Sequence, residues 1–264
     1  MQELKGDKRF ANTLARGLGV LRAFRPSDNG LGNLEISERT GIPRSTVSRL
    51  TFTLCALGYL THGRHHDKYR LGPAALALGN IASAAFGFVE TAAPSMQALA
   101  NSTRTLIGVA IQDDGDMLMV KTWRPENTAP IWLNVGYRMP VLNSSTGVAY
   151  LGALSEGERS KFLTHLPQEA HADCRALCDR AQSDLLTHGY ALFSGERRFS
   201  SKINALATPY RPSEFGEPVS FLAGAPADDL SDERIRAEVG PALANAVEQL
   251  RVMTGQHYSV LAGG

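Results

Sequence analysis

Apolar residues recur at helical spacing near the start of the chain and predict three helices. A turn-forming stretch rich in Pro, Ser, Asp, Asn and Gly separates the first two. Gly41 ends the second helix, and Pro43 suits the start of the third because its missing N–H group would have no helical partner there. The predicted helices cover residues 13–24, 33–40 and 43–57.

The third predicted helix has two distinct faces. One side carries the apolar positions Val47, Leu50, Leu54 and Leu57. The other side carries hydroxyl and guanidinium groups from Ser45, Ser48 and Arg49, with Arg44 at its edge. A helix, a glycine turn and a second helix with such a face are typical of proteins that read the DNA major groove. Arginine in that position can donate two hydrogen bonds to a guanine edge.

After Gly58 the pattern changes to two short β-type runs around a polar turn at residues 62–68. We interpret this segment as a hairpin, the wing of a winged helix-turn-helix. Basic side chains around its tip are candidates for contact with phosphates or an adjacent minor groove. These candidates are Arg64, Lys68 and Arg70, with His65 and His66 beside them.

The distribution of charge agrees with this interpretation. Residues 1–72 contain 12 Lys and Arg against 6 Asp and Glu, whereas residues 73–264 contain 15 against 20. The net charge of +1 therefore conceals a basic segment ahead of an acidic body. Such a segment is typical of a module that binds a polyanion.

The rest of the chain predicts a linker and one larger domain. An alanine-rich apolar stretch that opens at Pro73 predicts a semi-rigid linker helix, which could also pair two subunits. We expect a DNA-binding domain at 10–72, the linker helix at 73–92, a larger domain at 93–254 and a loose tail at 255–264.

The larger domain is predicted to be an α+β domain with an antiparallel sheet. Its first two strands, 106–111 and 117–123, flank an Asp- and Gly-rich turn at 113–116. Residues 136–140 are expected to form a loop. Further strands are predicted at 131–135, 190–193, 203–209 and 219–223.

Hydroxyl residues mark the helix starts in this domain. Ser144 or Ser145 can cap a helix at 148–154, and Ser155 with Glu158 forms a capping box. Ser231 is the expected cap of the last helix, which ends near Met253. A further helix is predicted at 175–189.

Taken in order, several short motifs resemble the IclR-type transcription regulators. They read LARGL at 14–18, RTGIPRSTV at 39–47, LGYL at 57–60 and YRLG at 69–72. The resemblance extends over residues 12–252 and implies an N-terminal winged helix-turn-helix with a C-terminal effector-binding domain. It also implies that Thr46 acts with Arg44, Ser45, Ser48 and Arg49 in the recognition helix. Homodimers or dimers of dimers on a palindromic double-stranded DNA operator are further implications.

The resemblance places a small organic ligand near the loop at 136–147, with walls from the strands that start at Ile203 and Val219. A helix N-terminus in that loop offers free N–H groups and a positive dipole end, which suit a carboxylate. Asn143, Ser144 and Ser145 add donors, and Arg138 is a candidate counter-charge. A purely structural capping role for the two serines remains an alternative.

Compared with many members of the family, this predicted pocket has fewer polar groups. Its candidate apolar walls are Trp132, Leu142, Phe221 and Leu222. The segments at 142–147 and 202–207, the latter with Asn204, are most similar to regulators of aromatic-acid catabolism. The predicted effector is therefore an aromatic or arylalkyl carboxylate.

Cys55, Cys174 and Cys178 are too few for a disulfide framework. The spacing of Cys174 and Cys178 places both thiols on one helix face near His171, which leaves metal or redox sensing as an alternative. We interpret them as small, partly buried thiols and predict no metal and no cofactor, because a zinc site usually needs four ligands.

Two rival classes of function are weaker. The sequence contains no nucleophile elbow, phosphate-binding glycine loop, dinucleotide fingerprint or zinc-protease motif, so we predict that the protein is not an enzyme. An architectural or constitutive DNA binder, whose large domain only oligomerises, stays open as the alternative. The polar N-terminus and the lack of a long apolar run predict a cytoplasmic protein with no membrane partner.

Overall fold

A computed structural model describes residues 7–63, 68–126, 133–193, 200–214 and 216–256. The chain forms two compact units, Met1–Ala85 and Phe86–Gly264. Within the described ranges no single helix is long and apolar enough to span a membrane. The consecutive helices Pro73–Ala84 and Gly87–Thr103 are long and apolar enough only when taken together, and they are bent by 81° relative to each other. The cytoplasmic location stays a prediction.

The first unit contains the predicted three helices and hairpin. Gly41 ends the second helix in the left-handed conformation, with φ of 67°, as its sequence position predicts. A small apolar core that includes Val20, Ile36 and Val47 joins the helices to the hairpin. The elements are α1 (Asn12–Arg22), α2 (Asn33–Thr40), α3 (Arg44–Ala56), β1 (Leu60–His62), β2 (Tyr69–Leu71) and α4 (Pro73–Ala84).

The apolar face of α3 differs from the prediction at one position. Leu57 is 61% exposed, because α3 ends at Ala56 and the helical spacing does not continue to Leu57. Thr51 is buried on the inner face instead, and its hydroxyl donates to the Asn33 side chain at 3.2 Å. A polar residue with a hydrogen-bond partner thus takes a place that the apolar pattern alone did not predict.

The predicted linker helix is two helices. α4 ends at Ala84, and α5 begins at Gly87 and continues to Thr103. Phe86, with ψ of 63°, leaves the helical conformation between them and packs against the core of the second unit. The predicted boundary at residue 92 therefore falls inside α5.

The second unit is built on an antiparallel sheet that has six strands in its described residues, in the order β5-β4-β3-β8-β7-β6. One face packs against α5 and the C-terminal helix, and the other packs against three central helices. The strands are β3 (Leu106–Asp113), β4 (Asp116–Trp123), β5 (Arg138–Pro140), β6 (Ala191–Leu192), β7 (Ile203–Tyr210) and β8 (Val219–Pro226). The helices are α5 (Gly87–Thr103), α6 (Ser145–Gly152), α7 (Glu156–Leu163), α8 (His171–His188), α9 (Asp232–Arg234) and α10 (Gly240–Met253), with a π-helical turn at Ile235–Val239.

The start of this sheet follows the sequence, but its edge does not. β3 and β4 meet at a tight turn in which Asp114 and Gly115 both have positive φ, as in a type I′ hairpin. The third strand lies later than predicted, at β5, where Met139 pairs with Met117 of β4. Gly136, with φ of 85°, turns the chain back toward β4. Ile131 lies outside the described residues, and 133–135 form no strand.

Glu158 connects the start of α7 to the end of β7. It accepts the Ser155 N–H at 2.8 Å, which confirms the capping box, and its two oxygens accept from Arg211 at 2.7 and 3.0 Å. Arg211 also donates to the Ala153 carbonyl at 3.0 Å. These bonds from Arg211 hold the pKa of the Glu158 carboxyl at about 2.

We expect Glu158→Gln to lower the free energy of unfolding by about 2 kcal/mol at pH 7, because Arg211 loses its charged partner. The folded-state pKa lies below the unfolded value, so this stabilisation is complete above pH 4.5 and is lost as the pH falls toward 2. Urea unfolding at several pH values measures the difference. Glu156→Gln is the control, since that side chain is 86% exposed in the same helical turn. Equal effects of the two variants at neutral pH would contradict the assignment.

Candidate nucleic-acid interface and ligand cavity

The polar face of α3 is exposed as the sequence predicts. Arg44, Ser45, Ser48 and Arg49 are exposed, and Thr46 is half-buried. Among the described residues, neither guanidinium on this face has a hydrogen bond or a carboxylate partner. The face therefore presents two free cations and two hydroxyls, a chemistry suited to phosphates and base edges.

Phe52 shares this face and was missed by the sequence analysis. It lies four and three residues after Ser48 and Arg49, and its side chain is 77% exposed. An exposed phenylalanine on a polar helix face suits apolar contact with a thymine methyl group. The helical spacing could have placed Phe52 on the polar face, but an aromatic residue is ordinarily assigned to the core.

The basic residues of the wing have partners within the unit. Lys68 pairs with Glu35 at 3.4 Å, and Arg70 donates to the Asn29 side chain at 2.5 Å. Both bonds tie the hairpin to the segment around α2. Arg64, His65 and His66 lie outside the described residues.

A cavity of about 410 Å³ opens in the second unit, within the range typical of small-molecule sites. It lies where the start of α6, the end of β6 and the start of β7 come together. Its wall is more apolar than polar. The apolar walls are Leu133, Met139, Leu192, Phe193, Ile203, Ala205, Leu222 and Ile235, and the polar ones are Asn143, Ser144, Ser145, Thr146, Ser200, Ser201, Asn204 and Asp232.

The start of α6 is fixed by a close backbone approach. A Cβ added to Gly147 would lie 1.9 Å from the Val141 carbonyl oxygen, so only glycine fits under the 3₁₀ turn Val141–Asn143. Ser144 caps the helix, because its hydroxyl accepts the Gly147 N–H at 3.2 Å and donates to the Pro140 carbonyl at 2.7 Å. The predicted cap is thereby confirmed, and the helix starts three residues earlier than expected, at Ser145.

The hydroxyl of Ser145 joins α6 to two strands. It donates to the Ala205 carbonyl at 2.6 Å and accepts the Phe193 N–H at 3.0 Å. Each of the two serine hydroxyls is therefore already engaged with the backbone. The capping alternative holds for Ser144, whereas the Ser145 hydroxyl connects α6 to the strands. The positive end of α6 lies on the cavity wall.

Five predicted ligand residues line the cavity: Asn143, Ser144, Ser145, Asn204 and Leu222. Trp132 lies outside the described residues. The other three are placed elsewhere, each for a physical reason.

Arg138 does not line the cavity, because it forms ion pairs with Asp113 and, at 3.8 Å, with Asp116. Phe221 is fully buried on the opposite face of the sheet, where it packs against Phe88 and Trp123. Successive strand residues point to opposite faces, so of these two neighbouring predicted walls only Leu222 lines the cavity. Leu142 packs against the core beside α6.

Several apolar walls of the cavity were not predicted from the sequence. Met139 was missed because the edge strand was predicted at 131–135 and lies at Arg138–Pro140. Leu133 lies in the predicted strand but was not named as a wall. Leu192, Ala205 and Ile235 come from three separate elements, and no local pattern unites them.

The two cysteines of α8 are buried more deeply than predicted. Cys174 is 1% and Cys178 0% exposed, and both are free. A hydrogen bond between the thiols lowers the pKa of Cys174 and raises that of Cys178. In the described ranges no three His, Cys, Asp or Glu side chains come together as a metal site would require.

Two family profiles match the chain. The profile for the IclR helix-turn-helix domain matches residues 13–63. The profile for the bacterial transcriptional regulator IclR C-terminal domain matches residues 83–214.

Individual proteins are similar over almost the whole length. The HTH-type transcriptional regulator TsaQ1/TsaQ2 of Comamonas testosteroni is 27% identical, over 92% of this chain and 88% of the relative. The crystal structure of an IclR family transcriptional regulator from Brucella abortus is 33% identical, with a TM-score of 0.76 and 95% of each chain covered. An IclR homologue from Microbacterium hydrocarbonoxydans, solved with 4-hydroxybenzoate, shares the fold at 23% identity and a TM-score of 0.68, over 91% of this chain and 99% of that one.

Proposed function

Because the chain belongs to the IclR family of bacterial transcription regulators, we propose that α3 reads a palindromic operator and that a small aromatic carboxylate controls this binding from the cavity of the second unit. Membership of the family makes the protein a DNA-binding transcription regulator and not an enzyme. The observation that carries the proposal is the exposed face of α3, on which Arg44 and Arg49 have no acidic partner among the described residues.

The roles of the residues follow from their placement on α3. Arg44 and Arg49 donate to base edges or phosphates, and Ser45 and Ser48 add short donors at the same surface. Thr46 is half-buried and sets the position of the helix on the duplex. Lys68 and Arg70 contribute phosphate contacts from the wing, at the cost of their bonds to Glu35 and Asn29.

Arg49→Ala is expected to weaken binding to an operator selected from random duplexes by about 1–3 kcal/mol and to relax the sequence preference at one position. Fluorescence anisotropy at constant salt measures the affinity. Arg175→Ala is the control, because it removes the same charge from an exposed position on α8. An unchanged affinity for Arg49→Ala would refute the assignment of α3 as the recognition helix.

An aromatic carboxylate suits the cavity for two reasons. The positive end of α6, with Asn143 beside it, can receive a carboxylate. Leu133, Met139 and Leu222 offer apolar surface for a ring. The bound 4-hydroxybenzoate of the Microbacterium protein supports this class of ligand for the shared fold.

We expect 4-hydroxybenzoate or a related aromatic acid to raise the midpoint of thermal unfolding and to change operator affinity, because a ligand that binds only the folded state stabilises it. Ala205→Leu should reduce this shift by filling the cavity. Ala172→Leu, at an exposed position of α8, is the matched control.

A shift by glyoxylate alone would exclude the aromatic class. No shift by any acid, with operator binding intact, would favour the architectural alternative, in which the second unit only oligomerises.

Dimerisation is the remaining part of the proposal, and α4 is its candidate surface. No residue of α4 is buried, and even its large apolar side chains are exposed. Leu76, Leu78 and Ile81 are between 54% and 70% exposed. An apolar helix that one chain leaves exposed to solvent is typical of a surface that packs against another molecule. A second copy is the occupant that fits, since a palindromic operator is read by two recognition helices.

The double variant Leu78→Asp with Ile81→Asp should lower the mass measured by light scattering and weaken operator binding, because charged side chains oppose burial of α4. Leu186→Asp is the control, at a leucine 65% exposed on α8. If the double variant keeps the parental mass, α4 is not the interface.

A further inference from the structure

A second cavity, of about 270 Å³, lies in the second unit and is more polar than the first. It is formed by the C-terminal half of α8, the chain around the start of β6, and the π-helical turn Ile235–Val239. Its lining residues are Arg180, Asp184, His188, Tyr190, Leu192 and Arg236. Neither the DNA-binding surface nor the proposed effector cavity uses its polar side chains.

Helical spacing and one close contact bring these groups together. Arg180, Asp184 and His188 follow one another at intervals of four on α8 and therefore share a face. The ring of Tyr190 rests on Gly240, where an added Cβ would lie 2.4 Å from the ring carbons. This contact holds the π-helical turn, and with it Arg236, against the start of β6. Single π-helical turns occur frequently at functional sites.

The cavity has an excess of cationic groups without partners. Two guanidinium groups face one carboxylate, Asp184, and neither Arg180 nor Arg236 has a hydrogen bond or ion pair within the described ranges. Both arginines are exposed to solvent. Arg159, Arg211, Arg234 and Arg251 each pair with a carboxylate, whereas the exposed Arg175, like Arg180 and Arg236, has no carboxylate partner among the described residues but lies outside the cavity.

Tyr190 adds a suitable donor. Its side chain is nearly buried, and among the described atoms its hydroxyl has no hydrogen-bond partner. Burial raises the pKa of this phenol, so the hydroxyl keeps its proton at neutral pH. Two cations and a protonated hydroxyl around one space are the complement of an oxyanion.

We propose that this second cavity binds a small oxyanion, a phosphate or carboxylate group, with Arg180 and Arg236 as its charge partners and the Tyr190 hydroxyl as a further donor. The two cavities share a wall. Leu192 lines both, and Ile235 lines the first while its neighbour Arg236 lines the second. An anion that orders Arg236 therefore acts on the same turn that closes the effector cavity.

Calorimetric titration of the full-length protein with inorganic phosphate, and separately with succinate, at constant ionic strength tests the proposal. We expect saturable binding of at least one probe, and the probe that binds identifies the chemical class. Arg180→Gln and Arg236→Gln should each weaken that binding about tenfold or more, because each removes a charge-assisted hydrogen bond. Arg175→Gln, an exposed arginine of α8 outside the cavity, should bind as the parent does.

Two outcomes would overturn the proposal. One is the absence of saturable binding of both probes at millimolar concentration, with the parent protein shown to be folded by its thermal transition. The other is binding that survives both arginine variants but is lost in Ala205→Leu, which would place the anion in the first cavity. No operator enters this experiment, so its result is independent of the proposed regulatory function.

Discussion

The close approach of the Gly147 backbone to the Val141 carbonyl is the constraint on which the second unit's cavity depends. It lets a 3₁₀ turn lie directly on the first turn of α6, so that Ser144 caps the helix and Ser145 reaches two strands. The positive end of the helix is thereby held at the mouth of an apolar space. Met139, Leu192, Ile203, Ala205 and Leu222 come from strands of the sheet that α6 packs against, and Ile235 comes from the π-helical turn.

The arginines of the chain differ in whether they connect elements of their own unit. Arg39, which bonds to Asp28 and to the Ala23 carbonyl, and Arg211, which bonds to Glu158 and Ala153, connect elements of their own units. Arg44 and Arg49 have no such bonds among the described residues, and water solvates both exposed side chains. What sets these two apart is that they share one face of a single helix with Ser45 and Ser48, which concentrates positive charge and donors on one surface.

Local signals in the sequence predicted the local structure well. The glycine at the end of α2, the hairpin turn before β4 and the Ser155 capping box all depend on neighbouring residues, and all three are confirmed. The ligand cavity was predicted only in part, because its walls come from distant elements and its strand residues alternate between faces. Phe221 was assigned to the wrong face for this reason, and Arg138 was assigned to a ligand because its acidic partner lies 25 residues away.

The bonds of Ser144 and Ser145 bear on how the cavity beside α6 can change during evolution. Both hydroxyls support the backbone, so replacing them would damage the cavity before it altered selectivity. Leu133, Met139 and Leu222 contribute only shape and apolar surface to it. The shape of the cavity is therefore more readily changed through exchanges among these three side chains, while the start of α6 on its wall stays unaltered.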